Sequence, residues 1–113
     1  SSGAGAVNWI SMYAQSDVRI YRTPWFGGTP WEKNAPIDSY WNNSPLKDIS
    51  NVKTPTIILV GKNDPRVPMP QSVELYRALK SNLVLENGFS FISLCPIELD
   101  IFLTPGSIIK IEF

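Results

Sequence analysis

Thr56-Ile57-Ile58-Leu59-Val60 is an unbroken β-branched and apolar run closed by Gly61. A strand wet on one side would alternate polar with apolar residues, so an unbroken run predicts a strand buried on both faces, as in a parallel sheet between helices. The polar turn Lys62-Asn63-Asp64 follows. Pro70 then opens a stretch in which Val73, Tyr76 and Leu79 recur every third position, with Glu74 near the positive end of the helix dipole. That pattern predicts a helix with one apolar side. Strand, loop and helix in this order make half of a βαβ unit, and the expected class is α/β.

Upstream, residues 1–5 are small and suit a loop leaving a strand. Asn8 is placed to cap a short helix that carries Trp9, Met12 and Tyr13 on adjoining faces. Thr29-Pro30-Trp31-Glu32 has the form of a capping box with proline at the first helical position, which predicts a helix starting there. Ser44-Pro45 repeats the cap-then-proline arrangement, and Pro55 ends that helical possibility. Downstream the character changes. Residues 89–94, 97–103 and 108–113 read as short strands, with Thr104-Pro105-Gly106-Ser107 as a reverse turn. In the last of them Ile109, Ile111 and Phe113 alternate with Lys110 and Glu112, an unpaired strand pattern that invites association.

With 113 residues the chain is one small domain or part of one, and 43% apolar against 18% charged residues is the balance of a folded protein. Ten basic and ten acidic residues are scattered, which offers neither nucleic acid nor an anionic membrane a basic surface. Cys95 has no partner for an internal disulfide, which tilts the compartment towards a reducing cytoplasm. Without histidine, a zinc site would need all-carboxylate ligation, so no metal or other cofactor is expected. No membrane span or signal peptide is visible.

Candidate chemistry gathers at Asp64, because ligands of open α/β sheets collect beyond the carboxyl ends of the strands. Taken alone, Asn63-Asp64-Pro65 is also ordinary turn chemistry, with the carboxylate bonding nearby amides. Trp25, Phe26, Trp31, Tyr40 and Trp41 could line a pocket, but packing between helix and sheet is the commoner use of such rings and is the expectation here.

Gly61-Lys62-Asn63-Asp64-Pro65-Arg66-Val67-Pro68 lies between Val52-Lys53-Thr54-Pro55 with its strand and Gln71-Ser72-Val73-Glu74-Leu75-Tyr76. This stretch resembles the prolyl oligopeptidase family of serine peptidases, on the side of its acylaminoacyl-peptidase and dipeptidyl-peptidase branches. Gly3-Ala4-Gly5, Asn8-Trp9, Trp25-Phe26-Gly27-Gly28-Thr29-Pro30-Trp31-Glu32 and Ser44-Pro45-Leu46 resemble the same family in the same order. The likeness spans residues 1–82 and implies a partial α/β-hydrolase fold, with residues 83–113 a divergent tail.

The resemblance implies that Asp64 is the acid of a Ser-Asp-His triad, whose task is to orient the histidine and stabilise its cation. Arg66 matches the family's arginine after that acid, and a structural tie is expected of it. The nucleophile should sit in Gly-x-Ser-x-Gly, upstream of the acid, and the histidine downstream. Ser2-Gly3-Ala4-Gly5 lacks the leading half of that elbow, and by the resemblance Ser2 belongs after it. The tail carries no histidine and reads as a shifted frame or chimeric junction. The expectation is therefore a fragment of a serine peptidase, inactive alone, whose complete form cleaves peptide or acyl-peptide bonds. The alternative is a non-catalytic α/β remnant serving as a binding module, prone to self-association.

Overall fold

The computed structural model describes residues 2–54, 56–82, 90–94, 99–103 and 107–111. Five strands form one sheet in the order β1 (Ser2–Gly3), β2 (Ile57–Gly61), β3 (Ser90–Leu94), β4 (Leu99–Leu103) and β5 (Ser107–Ile111). β1 and β3 run parallel to β2, with Ser2 opposite Ile58 and Gly61 opposite Leu94. β4 and β5 extend the sheet as an antiparallel meander. The parallel half is where helices make the crossovers, and it carries the α/β-hydrolase character. Ser2, expected in a loop, is instead hydrogen-bonded into the sheet edge as part of β1, and the next residue, Ala4, donates its N–H to the Leu59 carbonyl at 2.8 Å. The predicted reverse turn at 104–106 lies outside the described residues.

Helix α4 (Met69–Asn82) lies against β2 and buries Leu79 on Ile58 and Val60. Ile49 and Val52, from and just beyond the 3₁₀ segment Pro45–Asn51, close this core, together with Met69, Val73, Leu75 and Tyr76 of the helix. Ile58 and Val60 are each 1% exposed, whereas Leu59 between them is only half-buried. Burial on both faces, as the run predicts, is therefore met on one face, because α4 and the 3₁₀ segment pack on the same side as Ile58 and Val60.

α1 (Trp9–Gln15) starts as its cap requires: the Asn8 side chain accepts from the Ile10 N–H at 3.1 Å. Its inward residues Met12 and Tyr13 are buried. The expected helix at Thr29 does not form. A shorter one, α2 (Thr23–Phe26), precedes it and ends at Gly27, whose φ of 86° places it in the left-handed region. Residues 29–36 are turns, in which Thr29 Oγ1 accepts from the Trp31 N–H at 3.3 Å and Ala35 N–H reaches the Glu32 carbonyl at 3.1 Å. The box fails because the Glu32 carboxylate lies against Gly28 instead of reaching back to the Thr29 amide, and a Cβ on Gly28 would strike it. Pro36 then removes the amide that would extend any helix. α3 (Ile37–Asn42) begins just after Pro36 with no side-chain cap.

Aromatic rings join α1 to α2 and α3. Phe26 stacks on Tyr40 at 4.1 Å between ring centres, and Tyr13 meets Trp31 and Tyr40 edge-on at 5.1 and 6.0 Å. The Tyr40 hydroxyl donates to the Gly28 carbonyl at 2.8 Å. Arg22 is buried with its guanidinium over Trp9 at 5.1 Å, and its Nη1 has no hydrogen-bond partner among the described residues.

On its other side α1 is held to α4 by polar groups. Gln71 is fully buried: its Oε1 accepts from the Val7 and Asn8 N–H groups at 3.0 and 3.1 Å, and its Nε2 donates to Ser11 Oγ and Gln15 Oε1, each at 2.9 Å. Glu74 accepts from Asn8 Nδ2 at 2.6 Å and from Ser11 Oγ at 2.8 Å. Ser44, itself buried, accepts from the Trp9 N–H at 2.9 Å and donates to the Tyr40 carbonyl at 2.8 Å.

Candidate active site

β2 delivers Asp64 to the carboxyl end of the sheet. The strand ends at Gly61, and a turn closed by Asp64 N–H on the Gly61 carbonyl, at 3.2 Å, reverses the chain towards α4. Asp64 is half-buried. Its Oδ1 accepts from the backbone N–H groups of Arg66 at 2.8 Å and Val67 at 3.0 Å. This is the Asx turn expected of Asn-Asp-Pro, and it accounts for one carboxylate oxygen. Oδ2 has no hydrogen-bond partner among the described residues, so the carboxylate is oriented yet keeps a free acceptor.

Neighbouring residues fix that loop from outside. Arg66 Nε pairs with Asp17 Oδ2 at 3.1 Å, an exposed contact that makes Arg66 a structural tie to the turn after α1, across 49 positions of sequence. In the same turn Asp17 N–H donates to the Pro65 carbonyl at 3.1 Å, and Ser16 Oγ donates to the Arg66 carbonyl at 2.9 Å. Ser16 is buried and also accepts from the Val18 N–H at 3.3 Å. Nothing in the sequence marks Ser16 or Asp17, since the groups they hold in the Asp64 loop lie some 50 positions away and two of them are backbone carbonyls.

Trp9, Trp25, Phe26 and Asn43 line an open concavity of about 270 Å³. The expected packing is met by Phe26 and Tyr40, although Phe26 also takes part in the concavity. Trp25 and Trp31 are instead 82% and 62% exposed, the former at the rim of the concavity. Among the described residues no group of His, Cys, Asp and Glu could hold a metal ion, and no helix is long and apolar enough to cross a membrane.

One carboxylate at a strand end, oriented by two amides, can bind and orient a cationic or N–H-donating partner through its free oxygen. Residues 1–91 match the prolyl oligopeptidase family. The chain belongs to that family. Among its family relatives is the rat acylamino-acid-releasing enzyme, 49% identical over 82 residues, which make up 69% of this chain and 11% of that protein. An uncharacterized peptidase of Bacillus subtilis is 38% identical over 73 residues, again 11% of its length. The acylaminoacyl peptidase of Pyrococcus horikoshii superposes with a TM-score of 0.65 at 27% identity, covering 83% of this chain and 14% of that one. The fold is thus part of the family's α/β-hydrolase domain, and the chain spans about a tenth of the length of the curated relatives it matches. The family match runs through α4 and into β3.

Proposed function

We propose that the chain is the acid-bearing segment of a serine peptidase of the prolyl oligopeptidase family, with Asp64 as the triad acid. The supporting observation is the state of its carboxylate: Oδ1 is locked by two backbone N–H groups and Oδ2 is left to accept. In a complete site Oδ2 would accept the N–H of a histidine ring, fix its tautomer and stabilise the imidazolium formed as the serine loses its proton. The serine and histidine lie outside these 113 residues, which contain no histidine, so the isolated chain is inert. Peptides or acylated peptides are the substrates, in keeping with the names of the relatives, and the lone Cys95 suits a cytoplasmic setting. Exposed Ile20, Trp25 and Trp31 support a tendency to self-associate when the segment stands alone.

A segment exchange tests this. Residues 1–82 replace the matching segment of the rat acylamino-acid-releasing enzyme, and hydrolysis of an acetylated peptide is followed. Activity should survive the exchange and fall about 10⁴-fold in kcat on Asp64→Asn, which preserves shape but loses the charge. An Asp64→Asn chimaera within tenfold of its parent would sink the assignment.

A further inference from the structure

We propose that Ser16 and Asp17 are positioning residues that aim the Asp64 carboxylate by holding the two peptide planes whose N–H groups bind it. This rests on the reading of Asp64 as the acid. The Pro65 carbonyl and the Arg66 N–H belong to one peptide unit, and the Arg66 carbonyl and the Val67 N–H to the next. A trans peptide is planar with its C=O and N–H pointing in opposite directions, so fixing one end aims the other. Asp17 N–H holds the first unit at the Pro65 carbonyl, 3.1 Å, while its Arg66 N–H meets Asp64 Oδ1 at 2.8 Å. Ser16 Oγ holds the second at the Arg66 carbonyl, 2.9 Å, while its Val67 N–H meets the same oxygen at 3.0 Å.

Both units are thus gripped at both ends, from a turn some 50 positions away. A donor on each carbonyl also polarises the unit, so its N–H binds an anion more strongly. Ser16 is suited to this because it is buried and serves as the C-cap of α1, whose own N–H is spent on the Met12 carbonyl at 3.0 Å. The Asp17 side chain adds only the exposed pair with Arg66, so its contribution runs through its backbone N–H.

The test is the carbon-13 chemical shift of the Asp64 carboxyl group in the 113-residue chain at neutral pH, read together with amide hydrogen exchange. Ser16→Ala frees the second unit and should move the Asp64 carboxyl resonance and speed exchange of the Val67 amide several-fold. Ser81→Ala, which removes an exposed hydroxyl bonded to the Arg77 carbonyl, should leave both in place. An unmoved Asp64 resonance with an unchanged Val67 amide in a folded Ser16→Ala chain overturns the proposal. If that variant does not fold, the reciprocal measurement decides. Removing the charge with Asp64→Asn should speed exchange of the Asp17 amide several-fold while the Val7 and Asn8 amides on Gln71 hold, and an unchanged Asp17 amide overturns it equally. Neither measurement involves catalysis, so failure here is distinct from failure of the segment exchange.

Discussion

α1 is held on its two sides by different chemistry. Towards α4 its contacts are polar: Asn8, Ser11 and Gln15 meet Gln71 and Glu74, and Gln71 has every donor and acceptor occupied while fully buried. Towards α2 and α3 they are mainly aromatic: Trp9 and Tyr13 meet Phe26, Trp31 and Tyr40, with Ser44 adding one bond to the Trp9 N–H, and Trp31 remains largely exposed. A ring contact tolerates sliding, whereas a buried amide with four partners admits one arrangement. The polar side therefore sets where α1 sits, and the aromatic side adds area.

The largest expected effect breaks the polar side. Gln71→Leu keeps volume but strands the buried Val7 N–H and the half-buried Asn8 N–H, and should cost about 3 to 5 kcal/mol in urea unfolding. A loss below 1 kcal/mol would mean that water replaces the amide and that the network sets nothing. Tyr40→Phe probes the other side. It removes only the bond to the Gly28 carbonyl and should cost about 1 kcal/mol.

That same variant carries a pH signature. Burial first, then the neighbouring Tyr13 and Glu32, push the Tyr40 phenol above its ordinary value of 10.0. A group with a raised folded value gives stability that is complete below the unfolded value and is lost as pH rises from about 10 through the folded value, because the unfolded chain ionises first. Tyr40→Phe should therefore flatten the fall in thermal midpoint above pH 10, and an equally steep fall would assign it to other groups. The smallest effect belongs to neither side. Arg66→Ala deletes an exposed ion pair and should change stability by less than about 0.5 kcal/mol, leaving the backbone grip on the Asp64 loop intact.

The same contrast explains what could be read from the residues. β2, α4 and the Asn8 cap were legible because an apolar run, an apolar spacing of three and a side-chain cap are local patterns. The turn at Asp64 was legible because its carboxylate bonds neighbours two and three positions on. Gln71 was not. A glutamine on a helix ordinarily faces water, and its burial depends on two amides 63 and 64 positions away. The capping box at Thr29 misled for a related reason: Glu32 has the right spacing, but the left-handed turn at Gly27 and the open Cα of Gly28 give its carboxylate another place to lie.

Gln71 also imposes an order of events on synthesis. At roughly 5 to 20 residues per second, a ribosome reaches it some 3 to 13 s after Val7, the residue it bonds 64 positions earlier. Through that interval α1 can gather its rings and its bond to Ser44, but lacks its seat on α4. Asn8 and Ser11 wait in water, and the exposed tryptophans wait beside them. Docking of α1 on α4 is thus a late step, and a nascent chain cut before Gln71 carries an α1 held only by its rings and Ser44.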